Sequence, residues 1–236
     1  MEREKEMDTK KRNMIIGAAA AAVLILVVGL LAAFGVFHGF NPEGYVKAVL
    51  DQSLKGEVRS AAQLMAGTTE DSLYQQYEQG ITSFVKNSIA NGVELDEELE
   101  GKYVELCKKV FSAMKYDIEE AKDAEGGGYD VTVSYYPANV FTSFMTKIGE
   151  ENQRITEKVE NGEYRGTLEE INAQMQKDFM NNAYVLFEEC SKSIEYGEEE
   201  TFVFSIVKDE EGMYDLDEAQ ISEFITKILN LDENQG

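Results

Sequence analysis

"YDVTVSY", residues 129–135, is the stretch whose reading decides the fold. Its odd positions, Tyr129, Val131, Val133 and Tyr135, are apolar, and its even positions, Asp130, Thr132 and Ser134, are polar. A period of two places alternate side chains on opposite faces of a pleated strand, here with one face buried. The preceding "DAEGGG" (123–128) is hairpin-turn chemistry, Tyr116-Asp117-Ile118 opens the partner strand, and Pro137 closes the pair.

The same logic recurs near the C-terminus. Residues 201–208, "TFVFSIVK", are apolar on both faces, which predicts a central strand. The turn Asp209-Glu210-Glu211-Gly212 leads to a short strand at 213–216. "AKDAEGGGYDV" and "VKDEEGMYDL" look alike, and the needs of the turn explain this without a duplication. Two hairpins predict a small antiparallel sheet of about four strands.

Elsewhere the apolar period is 3.6. Asn41 and Pro42 form an N-cap and first helical residue ahead of Tyr45, Val46, Val49, Leu50 and Leu54. A short helix follows at 58–65. Thr69 with Ser72, or Thr68 with Asp71, caps a stripe from Leu73 to Ile89, and Leu95 to Met114 carries another. After the first hairpin come a helix through Phe141, Phe144 and Ile148 and, behind the capping box Thr167/Glu170, one running from Leu168 to Ile194. Asp217 caps the last helix. Helices packed against a small antiparallel sheet make an α+β domain.

Residues 14–37 contain no charge and, at about 1.5 Å per residue, are long enough to cross the roughly 30 Å hydrocarbon core. The run exceeds the apolar region of a cleaved signal peptide and ends in bulky Phe34, Phe37 and Phe40. We therefore expect an uncleaved signal anchor. Lys10, Lys11 and Arg12 flank it on the N-terminal side, so 1–13 form a cytoplasmic tail, 38–44 a linker and 45–236 an extracytoplasmic domain. Gly29/Ala33 and Gly35/Gly39 have the small-xxx-small spacing through which two such helices associate, which makes a homodimer through the span a candidate.

The net charge of −23 argues against a nucleic-acid partner. The sole histidine, His38, sits at the edge of the apolar run, which leaves no histidine in the domain for a Ser-His-Asp or Cys-His system. "DEEGMYDLDE" lacks the ligand spacing of a calcium loop, and neither metal nor cofactor is expected. Cys107 and Cys190 both fall on apolar helix faces and read either as a disulfide or as two small buried apolar side chains. Tyr103, Tyr129, Tyr135, Tyr136 and Phe141 are the candidates for a pocket lining, against the alternative that they pack the sheet onto its helices.

"YVKAVLDQSLKGE" (45–57), "ELCKKVFSAMKYDIEEAKDAEGGGYDVTVSYYP" (105–137) and "TFVFSIVKDEEGMYDL" (201–216) resemble a family of uncharacterised extracytoplasmic domains found on lipoproteins and membrane-anchored proteins of Gram-positive bacteria. The resemblance covers most of the chain after Asn41 and rests on helix entries, turns and strand patterns. It implies a cone-shaped α+β fold of the nuclear-transport-factor type and assigns no catalytic residue. This chain departs from the lipoprotein members by lacking their acylated cysteine. The expected function is non-enzymatic binding of a small ligand or an envelope protein at the cell surface. The alternatives are a carboxylate-dependent hydrolase of cell-wall glycans and a dimeric envelope scaffold.

Overall fold

The computed structural model describes residues 31–32, 40–64, 67–210 and 212–231. Seven α-helices lie among them: α1 (Pro42–Lys55), α2 (Arg59–Leu64), α3 (Glu70–Phe84), α4 (Glu97–Ser112), α5 (Val140–Glu160), α6 (Leu168–Lys192) and α7 (Glu218–Ile228). A π-turn, Val85–Ile89, extends α3. The strands are β1 (Leu31–Ala32), β2 (Lys115–Asp123), β3 (Tyr129–Tyr136), β4 (Glu200–Lys208) and β5 (Tyr214–Leu216). All pairs are antiparallel in the order β1-β5-β4-β3-β2. Two hairpins, β2–β3 and β4–β5, join through β3 and β4 into the expected four-stranded sheet.

Helix entries follow the local sequence. Asn41 accepts a hydrogen bond from the Gly44 amide at the start of α1. Thr69/Ser72 and Thr167/Glu170 close reciprocal capping boxes on α3 and α6, and Asp217 caps α7. Helix α1 starts at Pro42, so the last three residues of the linker read at 38–44 form its first turn.

The inner face of the sheet holds Val131, Val133, Tyr135, Phe204, Ile206 and Leu216, each at most 1 % exposed. Helix α1 packs on it against β2 and β3, and Phe224 of α7 makes ring contacts with Tyr116, Tyr135, Phe202 and Phe204. Behind α1 lie α3 and α4, then α6, which pairs with α5. The helices meet around Phe141, which contacts Phe84, Phe111 and Phe187. Fully burying a side chain of this kind contributes about 1.5–3 kcal/mol, which is why the aromatic positions dominate the core.

Two expectations change. Strand β4 is central, lying between β3 and β5, but it is not covered on both faces: Val203 and Val207 are 51 % and 63 % exposed. The apolar content predicted burial on both faces, whereas α7 contacts β4 from one side, through the rings of Phe202 and Phe204. The expected spanning helix at 14–37 lies outside the described residues except at Leu31 and Ala32, which are extended and pair with Asp215 and Tyr214. An exposed edge such as that of β5 offers unpaired amides and carbonyls to any extended segment. Among the described residues no helix is long and apolar enough to cross a membrane.

The glycine triplet of the first hairpin divides its work. Gly126 and Gly127 take φ of +79° and +83°, the left-handed region that favours glycine. Gly128 is extended, but a Cβ there would lie 2.2 Å from the Ile206 carbonyl oxygen, because β4 passes directly against it. Gly128→Ala is expected to destabilise the domain by about 1–3 kcal/mol through this overpacking. Gly101→Ala, exposed in α4 with nothing near its Cβ, should stabilise it by about 0.5–1 kcal/mol. Denaturant unfolding of the two variants checks both signs.

Candidate functional site

The five aromatic candidates do not share one surface. Tyr103 is fully buried on α4, donates its hydroxyl to the Met180 carbonyl at 2.8 Å, and meets Tyr184 edge-on. Phe141 belongs to the aromatic knot between helices. Tyr135 is buried under α7 and donates to Glu200 at 2.6 Å, while Tyr136, on the opposite face, donates to Glu199. Tyr129 sits at the sheet end with Tyr214 and Phe40. Four of the five are thus engaged in packing the sheet and helices together. Cys107 and Cys190 are both buried free thiols, and burial pushes each above its ordinary pKa, away from the reactive thiolate.

Polar chemistry gathers instead on α1. Ten of its fourteen residues are buried, and three of these are consecutive and polar: Asp51, Gln52 and Ser53, at 7 %, 1 % and 2 % exposure. Asp51 accepts from Lys47, from Lys55 at 2.8 Å and from the Tyr116 hydroxyl at 2.6 Å. Lys47 and Lys55 stand four residues either side of Asp51, so the helical period itself delivers both cations. Lys55 also lies over the Tyr116 ring, 4.5 Å from its centroid. Burial alone would raise the Asp51 carboxyl, but the hydrogen bonds from Lys47, Lys55 and Tyr116 outweigh it and hold the carboxyl below the usual range. Burial, then the bond to Asp51, push the Tyr116 phenol far up. Gln52 and Ser53 differ: neither polar atom of the Gln52 amide, nor the Ser53 hydroxyl, has a hydrogen-bond partner. Leaving such a group unpaired costs about 1–3 kcal/mol.

A second network ties α5 to α6. Glu151, 3 % exposed, accepts from the Arg154 guanidinium through two nitrogens and from Asn182 at 2.5 Å. Asp178 accepts from Lys158 at 2.7 Å, Tyr164 at 2.6 Å and Arg154 at 3.2 Å. Burial opposes the charge on Asp178, yet these three donors hold its carboxyl well below the ordinary range. A carboxylate so held is ionised at neutral pH and has no proton to donate, so the arrangement clamps the helical hairpin rather than performing acid catalysis. Glu151 and Arg154 are one helical turn apart and readable in sequence; Asp178 and Asn182 arrive only through the fold.

At the sheet end, Phe40 stacks on Tyr214 with centroids 4.0 Å apart and planes 4° from parallel, and also touches Tyr45 and Tyr129. Lys208 covers the Tyr214 ring at 5.3 Å. Because Asp123 pairs with Tyr129 and Lys208 with Tyr214, both hairpin turns lie at this same end. The acidic turn after β4 is closed by Asp209, whose side chain accepts from the Met213 amide at 2.8 Å, as a hairpin requires.

No family model matches the chain, and no curated protein matches it. Among solved structures it is similar to one described as "a putative lipoprotein (ycdA) from Bacillus subtilis subsp. subtilis str. 168", at 16% sequence identity and a TM-score of 0.46. The match covers 78% of this chain and 54% of that one, so the chain spans about half the length of that structure.

Asp51 makes a prediction with a definite sign. Its folded pKa is depressed, so its contribution is complete above the unfolded value of about 3.9 and is lost as pH falls through the folded one. Asp51→Asn should cost about 1–3 kcal/mol at pH 7 and should flatten the acid limb of the stability curve. Unfolding midpoints measured from about pH 6 down to pH 2 check this. Parallel curves for the two proteins would contradict it.

Proposed function

We propose that the protein is a single-pass, membrane-anchored domain of the bacterial cell surface that binds a small ligand or an envelope partner and is not an enzyme. The observation that carries this reading is the uncharged run at 14–37, flanked by Lys10, Lys11 and Arg12 and followed within three residues by Phe40, which is already packed on the sheet. A membrane helix that ends where Leu31 and Ala32 pair with β5 holds that domain close to the bilayer, with both hairpin turns on the tethered side. The pairing of Leu31 and Ala32 with β5 is compatible with a span over 14–30, whose seventeen residues meet the lower end of the roughly 17–25 that a crossing needs.

The positive-inside rule puts 1–13 in the cytoplasm and the acidic domain outside. The non-enzymatic reading is supported by the lack of any histidine among the described residues and by the cation-clamped state of Asp178.

The unaltered protein and one doubly substituted variant test the anchor. Full-length protein should sediment with membranes after alkaline extraction and keep the mass of the uncleaved chain. Ala22→Arg combined with Val23→Arg places two charges at the centre of the span, each costing about 2.5–3.5 kcal/mol at mid-bilayer, and should release the protein to the soluble fraction. A mass beginning after residue 30 in the unaltered protein would replace the anchor with a cleaved leader.

A further inference from the structure

Helix interiors normally solve the hydroxyl problem locally, by donation to a carbonyl three or four residues back. This protein does so repeatedly: Ser112 to Lys109, Thr146 to Thr142, Thr156 to Asn152, Ser191 to Glu188 and Thr226 to Ser222. Its amides also find partners, Asn182 at Glu151, Gln174 at the Arg165 carbonyl and Gln220 at both backbone groups of Ser205. Gln52 and Ser53 stand apart from all of these. They are among the most deeply buried polar residues of the domain, adjacent in sequence, and none of their side-chain polar atoms is partnered.

We infer that the Gln52 amide, and separately the Ser53 hydroxyl, each bind a small neutral internal guest bearing hydroxyl or amide-like groups, of which water is the smallest member. An amide offers donors and an acceptor together, and a hydroxyl offers both in one atom, so the complementary guest must also do both. A charged guest does not fit. The neighbouring carboxylate of Asp51 is already compensated by Lys47 and Lys55, and the rest of the helix surface around the pair is apolar: Tyr45, Ala48, Val49 and Leu50, all at most 2 % exposed. One turn beyond Gln52, Gly56 ends α1 without a side chain, and a Cβ there would come within 2.7 Å of the Tyr77 ring. The tyrosine therefore bounds that flank. A buried polar site with two to four hydrogen-bonding atoms is what an ordered internal guest requires. The inference concerns the folded domain alone and goes beyond the membrane reading.

The experiment compares full-length protein in detergent micelles with Gln52→Met, which keeps the length of the side chain and removes the amide. If a guest bridges the amide, the variant loses those bonds and its thermal midpoint falls by about 3–6 °C. If the amide is simply unpaired, its removal relieves a penalty and the midpoint stays or rises, which overturns the inference. Ser53→Ala reads the same sign should Gln52→Met fail to fold. The two sources of the guest separate by native mass. An organic guest appears as added mass on the unaltered protein and is lost in Gln52→Met, whereas water leaves the mass bare and gives water-to-amide NOEs on α1. A fallen midpoint with neither signature also overturns the inference.

Discussion

Helix α1 is withdrawn from water along almost its whole length, and the domain is arranged around what that burial requires. Its apolar positions are met on one side by β2 and β3 and on the other by α2, α3 and α4. Its ends are closed by Asn41 and by Gly56, whose amide bonds back to the last turn. The charge it carries into this setting, Asp51, is answered twice from the helix and once from the sheet, by Lys47, Lys55 and Tyr116. The Tyr116 bond is a tertiary one, joining residues sixty-five apart, so the buried carboxylate also fixes how β2 lies on the helix.

The second network does the same for the outer helices. Arg154 is shared between Glu151 on its own helix and Asp178 on the next, with Lys158 and Tyr164 completing the clamp. Together the two networks account for the most strongly held carboxylates of the domain, and in both the charge is compensated in place. Electrostatics here position helices, and the chemistry of the surface is left to a large negative charge.

Much of this was legible in the residues. Asn41-Pro42, Thr69/Ser72, Thr167/Glu170 and Asp217 announced their helix starts because capping is a local bond between neighbours three apart. The alternation in 129–135 gave β3, its partner and hence the fold class. What sequence could not show was which face of a strand is covered: β4 is apolar on both sides, yet Val203 and Val207 face outward. Nor did the 3.6 period foretell that Asp51, Gln52 and Ser53 would all be buried, since a helix enclosed on every side carries no amphipathic signature. Of the two readings open for the aromatic residues, packing describes Tyr103, Tyr135 and Phe141, which are buried at separate points between sheet and helices. Asp178 needed the fold to bring it to Arg154.

The central claim is that the folded domain stands outside the membrane with residues 1–13 inside. It is tested most directly by labelling intact cells with a membrane-impermeant thiol reagent. The native thiols are buried and stay silent, so single cysteines at two positions report topology: Glu198→Cys on the exposed approach to β4 and Thr9→Cys in the tail. The account predicts that Glu198→Cys labels in intact cells and Thr9→Cys only after permeabilisation. Labelling of Thr9→Cys in intact cells, with Glu198→Cys protected, would contradict it.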